Sequence, residues 1–393
     1  MTDHPDIADP AMPRTLAVSY WNLNLVTSGG RRRIKALLEA MGPETVVVQP
    51  TPDHPDFRTC AFQTDFGRKK IGINWGMFNF CWPPNARVVH RAVQTERPQC
   101  LLLTSIWAYV PLRRYRGRIP MILDTHDVNA VSIGERFGMR HPFTRMIKAW
   151  EAKCVREMDH IFTCSDRDRA TLNRLYGVPE RRITTVSNGV DLSRFSQPNE
   201  SLPLPAGLQQ LPKDSVVLFF MGKLDYQPNR EALAFLKDMV VPVLEKEYPD
   251  CFQIVVTGGP VPTDPFPPAF HFMGLLPDAE LLGCLARADV CLAPIMTGSG
   301  TRLKILEYMA AAKPVVSTPK GAEGIECRNG EHIWIAEPAD FARAILVAAD
   351  SDAAAKQLGA RARRLVAQVY DWDTAIKPIW REKVRTVCMQ TAG

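Results

Sequence analysis

The sequence predicts an α/β chain built as two successive βα series. Three observations carry this: short apolar runs of strand length alternate with helix-spaced segments, a proline-rich polar stretch divides the alternation in two, and a glycine-rich loop opens a helix near residue 300. With 393 residues, 46% of them apolar, the chain has material for two or three domains with full cores.

In chain order, TLAVSYW (15–21), TVVVQP (45–50), CLLLTSIW (100–107), MILDTH (121–126), HIFTCS (160–165) and ITTVSNG (183–189) read as parallel strands. They are continuous apolar runs rather than alternating ones, as strands covered on both faces are. Between them GRRRIKALLEAMG (30–42) and FTRMIKAWEAKCVREMD (143–159) have helical spacing, the first with Gly42 as its C-cap. A first domain over residues 1–195 follows. Residues 196–214 hold four prolines among polar residues and read as the linker and entry to a second domain, 196–365, whose first strand is VVLFFMG (216–222). The tail, 366–393, is helical in pattern and interrupted at QVYDWDTAIKP, where Asp371 or Asp373 can cap a new helix.

Charge is uneven along this frame. Residues 1–195 carry 28 Lys and Arg against 19 Asp and Glu, whereas the remainder carries 20 against 23. Arg31, Arg32 and Arg33 follow a Gly-Gly turn, Arg113, Arg114, Arg116 and Arg118 cluster, and Arg136, Arg140, Arg145 and Lys148 flank a helix. Such a face suits an anionic acceptor or an anionic bilayer surface, and it equally suits the solvated helix faces of an arginine-rich protein. The arginines are not interleaved with aromatics in any nucleic-acid-binding motif, which argues against nucleic acid. No run of 18 apolar residues spans a membrane, and the polar N-terminus lacks a hydrophobic signal region, so a cytoplasmic chain is expected, peripheral at the inner membrane face if the basic surface meets lipid. Ten cysteines occur without a Cys-x-x-Cys and read as free thiols in a reducing compartment. The pairs Asp166/Asp168, Asp350/Asp352 and Asp371/Asp373 all fall at helix starts, where Asp caps, so no metal site is expected.

The most informative segment is GSGTRLKILEYMAAAKPVVSTPKGAEGIE, residues 298–326. Small residues let the backbone approach a ligand, the helix that follows aims free N–H groups at it, and Arg302 and Lys304 add full charges. Glu307, a turn deeper, can accept from sugar hydroxyls. A phosphate-bearing ligand is the functional reading, and an ordinary αβ unit with glycines for packing is the bland one.

This segment resembles the C-terminal signature of the retaining, group 1 type glycosyltransferases of family four, which have the GT-B architecture of two facing Rossmann-like domains with a cleft between them. FMGKLDYQPNREALAFLKDMVVPVLEKEYP (220–249), FQIVVTGGPVP (252–262), FHFMGLLPDAELLGCLARADVCLAPI (270–295), TVSNGVDLSRF (185–195), ILDTHDVNAV (122–131) and SGGRRRIKALLEAMG (28–42) resemble further blocks in the same order. The resemblance implies an N-terminal acceptor-binding domain, a C-terminal domain for a nucleotide-sugar donor, and a last helix that crosses back to the N-terminal domain. It puts Lys223 on the donor diphosphate, with Arg302 or Lys304 as a second cation. The backbone N–H groups of Thr301, Arg302 and Leu303, after Ser299 and Gly300, meet the leaving group, and Glu307 takes the ribose hydroxyls. Gly29 and Gly30 form a facing loop open to the diphosphate or acceptor, and His126 hydrogen-bonds the donor sugar; Asp127 is a helix cap, and Asn188 and Asp191 form a hinge turn.

Two positions depart from the family pattern. Ser299 stands where many relatives have the first carboxylate of a Glu-x7-Glu pair, and Asn229 stands where many have a second phosphate-binding lysine, which Arg302, Lys304 or Arg230 can replace. The implied activity is a metal-independent, retaining transfer of a hexose-type sugar to a glycan, lipid-linked or small-molecule acceptor, in bacterial surface polysaccharide biosynthesis. The nucleotide diphosphate sugar is then a co-substrate and no cofactor is needed. A non-catalytic nucleotide-binding partner subunit and a two-lobed nucleotide-sugar epimerase are the alternatives.

Overall fold

The computed structural model describes residues 11–24, 29–62, 80, 82–196, 201–212, 214–298 and 300–392. The chain divides into two compact units, one of Met1–Val186 with Lys377–Gly393 and one of Ser187–Ile376.

In the first unit the chain lays down β1 (Thr15–Val18), α1 (Gly29–Ala40), β2 (Val46–Gln49), β3 (Arg58–Ala61), α2 (Pro83–Glu96), β4 (Cys100–Leu103), the single turn α3 (Tyr109–Leu112) and β5 (Met121–Thr125). Then come α4 (Asn129–Phe137), α5 (Pro142–Glu157), β6 (His160–Thr163), α6 (Asp166–Tyr176) and β7 (Ile183–Thr185). The strands form one parallel sheet in the order β3-β2-β1-β4-β5-β6-β7. The chain thus works outward from β1 in one direction and then, from β4, in the other. The crevice between β1 and β4 is a switch point, where ligands of open α/β sheets bind.

The second unit repeats the plan. It contains α7 (Ala206–Gln209), β8 (Val216–Met221), α8 (Gln227–Phe235), α9 (Val241–Glu247), β9 (Phe252–Thr257), β10 (Phe270–Phe272), α10 (Asp278–Arg287) and β11 (Val290–Ala293). These are followed by α11 (Leu303–Ala310), β12 (Val315–Ser317), α12 (Pro319–Ala322), β13 (Trp334–Ile335), α13 (Phe341–Asp350) and α14 (Asp352–Val369). Its parallel sheet runs β10-β9-β8-β11-β12-β13, with its switch point between β8 and β11. The period-2 geometry of a strand sends β8 side chains to both faces: Val217, Phe219 and Met221 join one apolar cluster, Leu218 and Phe220 the other.

The last helix, α15 (Lys377–Ala392), belongs to the first unit. Its anchor is Trp380, fully buried, with its ring centroid 4.2 Å from that of Phe162 and its indole N–H aimed at the Met41 sulfur 3.1 Å away. Arg381 donates to the free C-terminal carbonyl of Ala40 on α1 at 2.8 Å.

The unit boundaries differ from the sequence expectation. The first falls at Val186 rather than Phe195, because residues after it pair within the second unit: Val190 donates to the Tyr370 carbonyl at 2.8 Å and accepts from Trp372 at 3.1 Å. The same pairing keeps residues 366–376 in the second unit, so the return begins at Lys377. Helix capping also differs. Ser165 and Ser351 cap α6 and α14, with Asp166 and Asp352 in the first turns behind them, and Asp350 ends α13; only Asp371 caps with its own carboxylate, accepting from the Thr374 N–H at 3.0 Å. Gly42, at φ 82°, adopts the left-handed conformation expected just past α1. Among the described residues no helix is long and apolar enough to cross a membrane.

Candidate functional site

Candidate groups gather at the carboxyl ends of the strands in each sheet. In the second unit, β8 ends at Met221 and turns through Gly222 and Lys223. This turn is tightly held. A Cβ on Gly258, which follows β9 at φ +115°, would lie 2.3 Å from the Gly222 carbonyl oxygen, so the two backbones pack as only glycine allows. A Cβ on Gly222 would in turn lie 2.7 Å from the Asn229 amide nitrogen and 2.8 Å from Lys304 Nζ.

Those two side chains form the centre of the site. Asn229, buried in the first turn of α8, donates Nδ2 to the Lys223 carbonyl at 2.8 Å and accepts from Lys304 Nζ at 2.8 Å. Lys304 rises from the first turn of α11 and sets its ammonium 4.1 Å over the Phe220 ring. Burial lowers its pKa to about 7; Arg302 pushes in the same direction and Glu307 opposes. The result is a lysine beneath the switch point that holds its proton only partly at neutral pH.

Arg302 has a different task. Its guanidinium folds back on the loop, donating to the carbonyls of Gly300 at 2.6 Å and Gly298 at 2.8 Å. The positive φ of both glycines, 79° and 95°, turns those carbonyls inward. Thr301 is buried, and its Oγ1 has no hydrogen-bond partner among the described residues. A buried hydroxyl without a partner costs free energy and marks a place for one. Leu303 opens α11 and packs against the core of the unit. Ser299 lies outside the described residues.

Glu307, a turn deeper, is 8% exposed and accepts from Arg194 Nη1 at 3.0 Å, while the rest of that guanidinium grips Asp278. The carboxylate is therefore clamped rather than open on all sides. Arg194 was legible only as part of TVSNGVDLSRF, and no local signal tied it to a residue 113 positions away. Lys223 lies apart from this group: its ammonium is exposed and pairs with Asp225 at 3.2 Å, and it is its backbone carbonyl that joins the cluster.

In the first unit, Trp21 follows β1 and Gly30 sits in the first turn of α1. A Cβ on Gly30 would come within 2.6 Å of the Trp21 indole, so that space is filled by this ring rather than left open as the sequence suggested. Gly29, beside it, opens α1. His126, just past β5, lies against the same indole with ring centroids 4.9 Å apart. Its Nε2 is buried without a partner among the described residues, and burial lowers its pKa, which favours the neutral imidazole. Beneath it Arg33 and Asp124 form a fully buried ion pair at 2.7 Å, and Arg33 also donates to the Val186 carbonyl at 2.7 Å. Asp127 is not the cap of α4 that the sequence suggested: it accepts from the Ser132 hydroxyl at 2.7 Å, and it is the buried Glu151 that accepts from the N–H groups of Asn129 at 2.8 Å and Ala130 at 3.0 Å. Asp191 accepts from the Ser193 N–H at 2.9 Å, closing the turn that leads to Arg194.

Known proteins share this plan. A family model described as Glycosyltransferase Family 4 matches residues 32–194, and one described as Glycosyl transferases group 1 matches residues 215–351. Glycogen synthase from Mycobacterium tuberculosis is 27% identical over a match covering 65% of this chain and 61% of that protein. The chain thus spans less than two thirds of that relative's length. Among solved structures, sucrose-phosphate synthase from Thermosynechococcus elongatus superposes with a TM-score of 0.74 at 17% identity, over 96% of this chain and 99% of that one. Anabaena HepE in complex with UDP-glucose superposes with a TM-score of 0.65 at 12% identity, over 96% and 98%. Two doubly wound parallel-sheet units make the fold GT-B, and the two glycosyltransferase models fall in order along the chain, one on residues 32–194 and the other on residues 215–351.

Proposed function

We propose that this chain transfers a hexose-type sugar, with retention of configuration, from a nucleoside diphosphate donor bound by the Ser187–Ile376 unit to an acceptor bound by the N-terminal unit. The observation that carries the reading is the Asn229–Lys304 pair under the Gly222 turn, at the switch point and at the start of α11. Leaving-group departure puts negative charge on the diphosphate. A protonated Lys304, the N–H groups opening α11 and the Thr301 hydroxyl offer preorganised positive charge and donors to that group, which is how a protein can stabilise it without a metal. Glu307, held by Arg194, accepts from the ribose hydroxyls. His126, neutral and with a nitrogen to spare, takes a sugar hydroxyl. Lys223 reaches the diphosphate from the exposed side of the turn once it leaves Asp225. The nucleotide sugar is a co-substrate and no further cofactor is invoked.

UDP is the first nucleotide to try, since HepE is described with UDP-glucose. The acceptor fits surface-glycan assembly in bacteria, lipid-linked or polymeric, because the N-terminal unit is the basic one. The test is a thermal-shift and saturation-transfer panel of UDP-, GDP-, TDP- and ADP-sugars, with and without chelator, on wild type and Lys304→Gln. Selective, chelator-insensitive binding weakened by the substitution is expected. A folded protein that binds none of them sinks the donor site and leaves a non-catalytic partner subunit.

A further inference from the structure

In the first unit, the connection between α4 and α5 builds a surface that donor chemistry does not use. Gly138, at φ 92°, reverses the chain immediately after α4, with its N–H closing on the Gly134 carbonyl at 2.8 Å. Residues 135–142 are all exposed. At this tip Phe137 is 39% exposed, Met139 50% and, one turn into α5, Met146 49%. The Met139 sulfur folds back over Gly134, where a Cβ would lie 2.1 Å from it. Three large apolar side chains left in water along one short connection call for a second phase.

The cations around them say which phase. Arg136, Arg140, Arg145 and Lys148 are exposed, and Arg136 lies 5.1 Å over the Phe137 ring. Farther along α5, Lys153 continues the outward face while Thr144, Ile147, Glu151, Cys154 and Val155 point inward. The acids of α5 are withdrawn from this face. Glu151 is buried as the cap of α4, and Glu157 is taken by Tyr109 and Arg116. Glu135 is the exposed acid among the described residues of the tip. Unbalanced positive charge around a small apolar tip is what an interface of anionic headgroups over acyl chains complements, with long basic side chains reaching the phosphates as the apolar ones enter.

We infer that the α4–α5 tip and the outward face of α5 dock this protein onto an anionic phospholipid bilayer. The test uses the full chain in sedimentation with vesicles of phosphatidylcholine alone and of phosphatidylcholine with phosphatidylglycerol. Binding is expected only to the anionic vesicles and should weaken as salt rises. Each basic residue near such a surface contributes about a fivefold change in partitioning, so Arg140→Ala/Arg145→Ala/Lys148→Ala should weaken binding roughly a hundredfold. Phe137→Ser/Met139→Ser should abolish the part that survives high salt. All five side chains are exposed, and unchanged melting of the variants checks that each is folded. Absence of binding to anionic vesicles, or equal binding by the triple variant, overturns the inference. So does a wild-type dimer that the variants lose, which would give this face to a second copy. Nucleotide-sugar binding, measured on the same samples, separates the two proposals: a chain that binds donor but no vesicles defeats only the docking, and the converse defeats only the transferase reading.

Discussion

If Lys304 is the diphosphate cation, donor binding must take up a proton, because the free site holds this lysine at a pKa of about 7. A donor oxygen at about 4 Å in a partly buried site interacts with the ammonium by roughly 4 kcal/mol, which corresponds to about three pKa units. That restores most of the depression, so the bound lysine stays charged well into the alkaline range. Between these two pKa values only the protonated fraction of the free protein binds. The sign follows: affinity is greatest below neutrality and falls as pH rises, by about tenfold per unit once the free lysine is mostly neutral. From about pH 7 to about pH 8.5 the dissociation constant should therefore rise by a factor of about fifteen to twenty.

Isothermal titration with the nucleotide sugar, rather than the free nucleotide, isolates the effect, since its diphosphate has no ionisation near neutrality. In two buffers of different ionisation enthalpy, proton uptake should approach one per donor bound at about pH 8.5 and vanish near pH 5.5. His126 cannot supply this slope, because burial lowers its pKa below the ordinary histidine value and leaves it neutral throughout the alkaline window. Lys304→Gln should bind as weakly as alkaline wild type and show a flat profile. A flat profile in the wild type, or a slope that survives in Lys304→Gln, refutes the reasoning.

Three further outcomes test the scaffold. Arg33→Met strands the buried Asp124 carboxylate and should cost about 3–5 kcal/mol in urea unfolding of the first unit, with Arg33→Met/Asp124→Leu recovering much of it. Trp380→Ala empties the anchor of α15 against Phe162 and Met41 and should cost about 3–5 kcal/mol, read as early loss of the first unit in calorimetry while the second still melts as before. Gly258→Ala puts a methyl group 2.3 Å from the Gly222 carbonyl oxygen at a left-handed φ; it should destabilise by more than about 1 kcal/mol and weaken donor binding by shifting the Lys223 turn.

The strands legible in the sequence are those buried on both faces. MILDT and VVLFFM are continuous apolar runs, and they form β5 and β8. The edge strand β3, RTCA, is half-exposed and carries no apolar run to mark it, and β13 is only Trp334–Ile335. The loop before α11 is equally readable, because a helix start after small residues is a local pattern. What is not readable is pairing across the fold. Arg33 looks like one of three basic surface residues and is fully buried, since nothing near it in sequence reveals Asp124 on β5. Gly30 looks like an opening and is a seat for Trp21, which the sequence places before the loop without saying where its ring goes.

The same limit explains the two halves of the proposed donor site. In the sequence Asn229 reads as a lysine lost and Lys304 as one of several replacements, and these are a single arrangement: the Asn229 side chain, 75 positions away, receives the Lys304 ammonium and ties it to the backbone of the Lys223 turn. Approaching from α11 rather than α8 changes how the cation is held. Its ammonium lies over the Phe220 ring and is buried, so the charged form carries a desolvation cost that a surface lysine does not. An empty site can relieve that cost by releasing the proton, whereas a permanent guanidinium could not. On the proposed reading, an arriving diphosphate draws the proton back and receives a full charge at close range. Lysine with an asparagine clamp is then a means of keeping positive charge available at the switch point without burying it unpaired between turnovers.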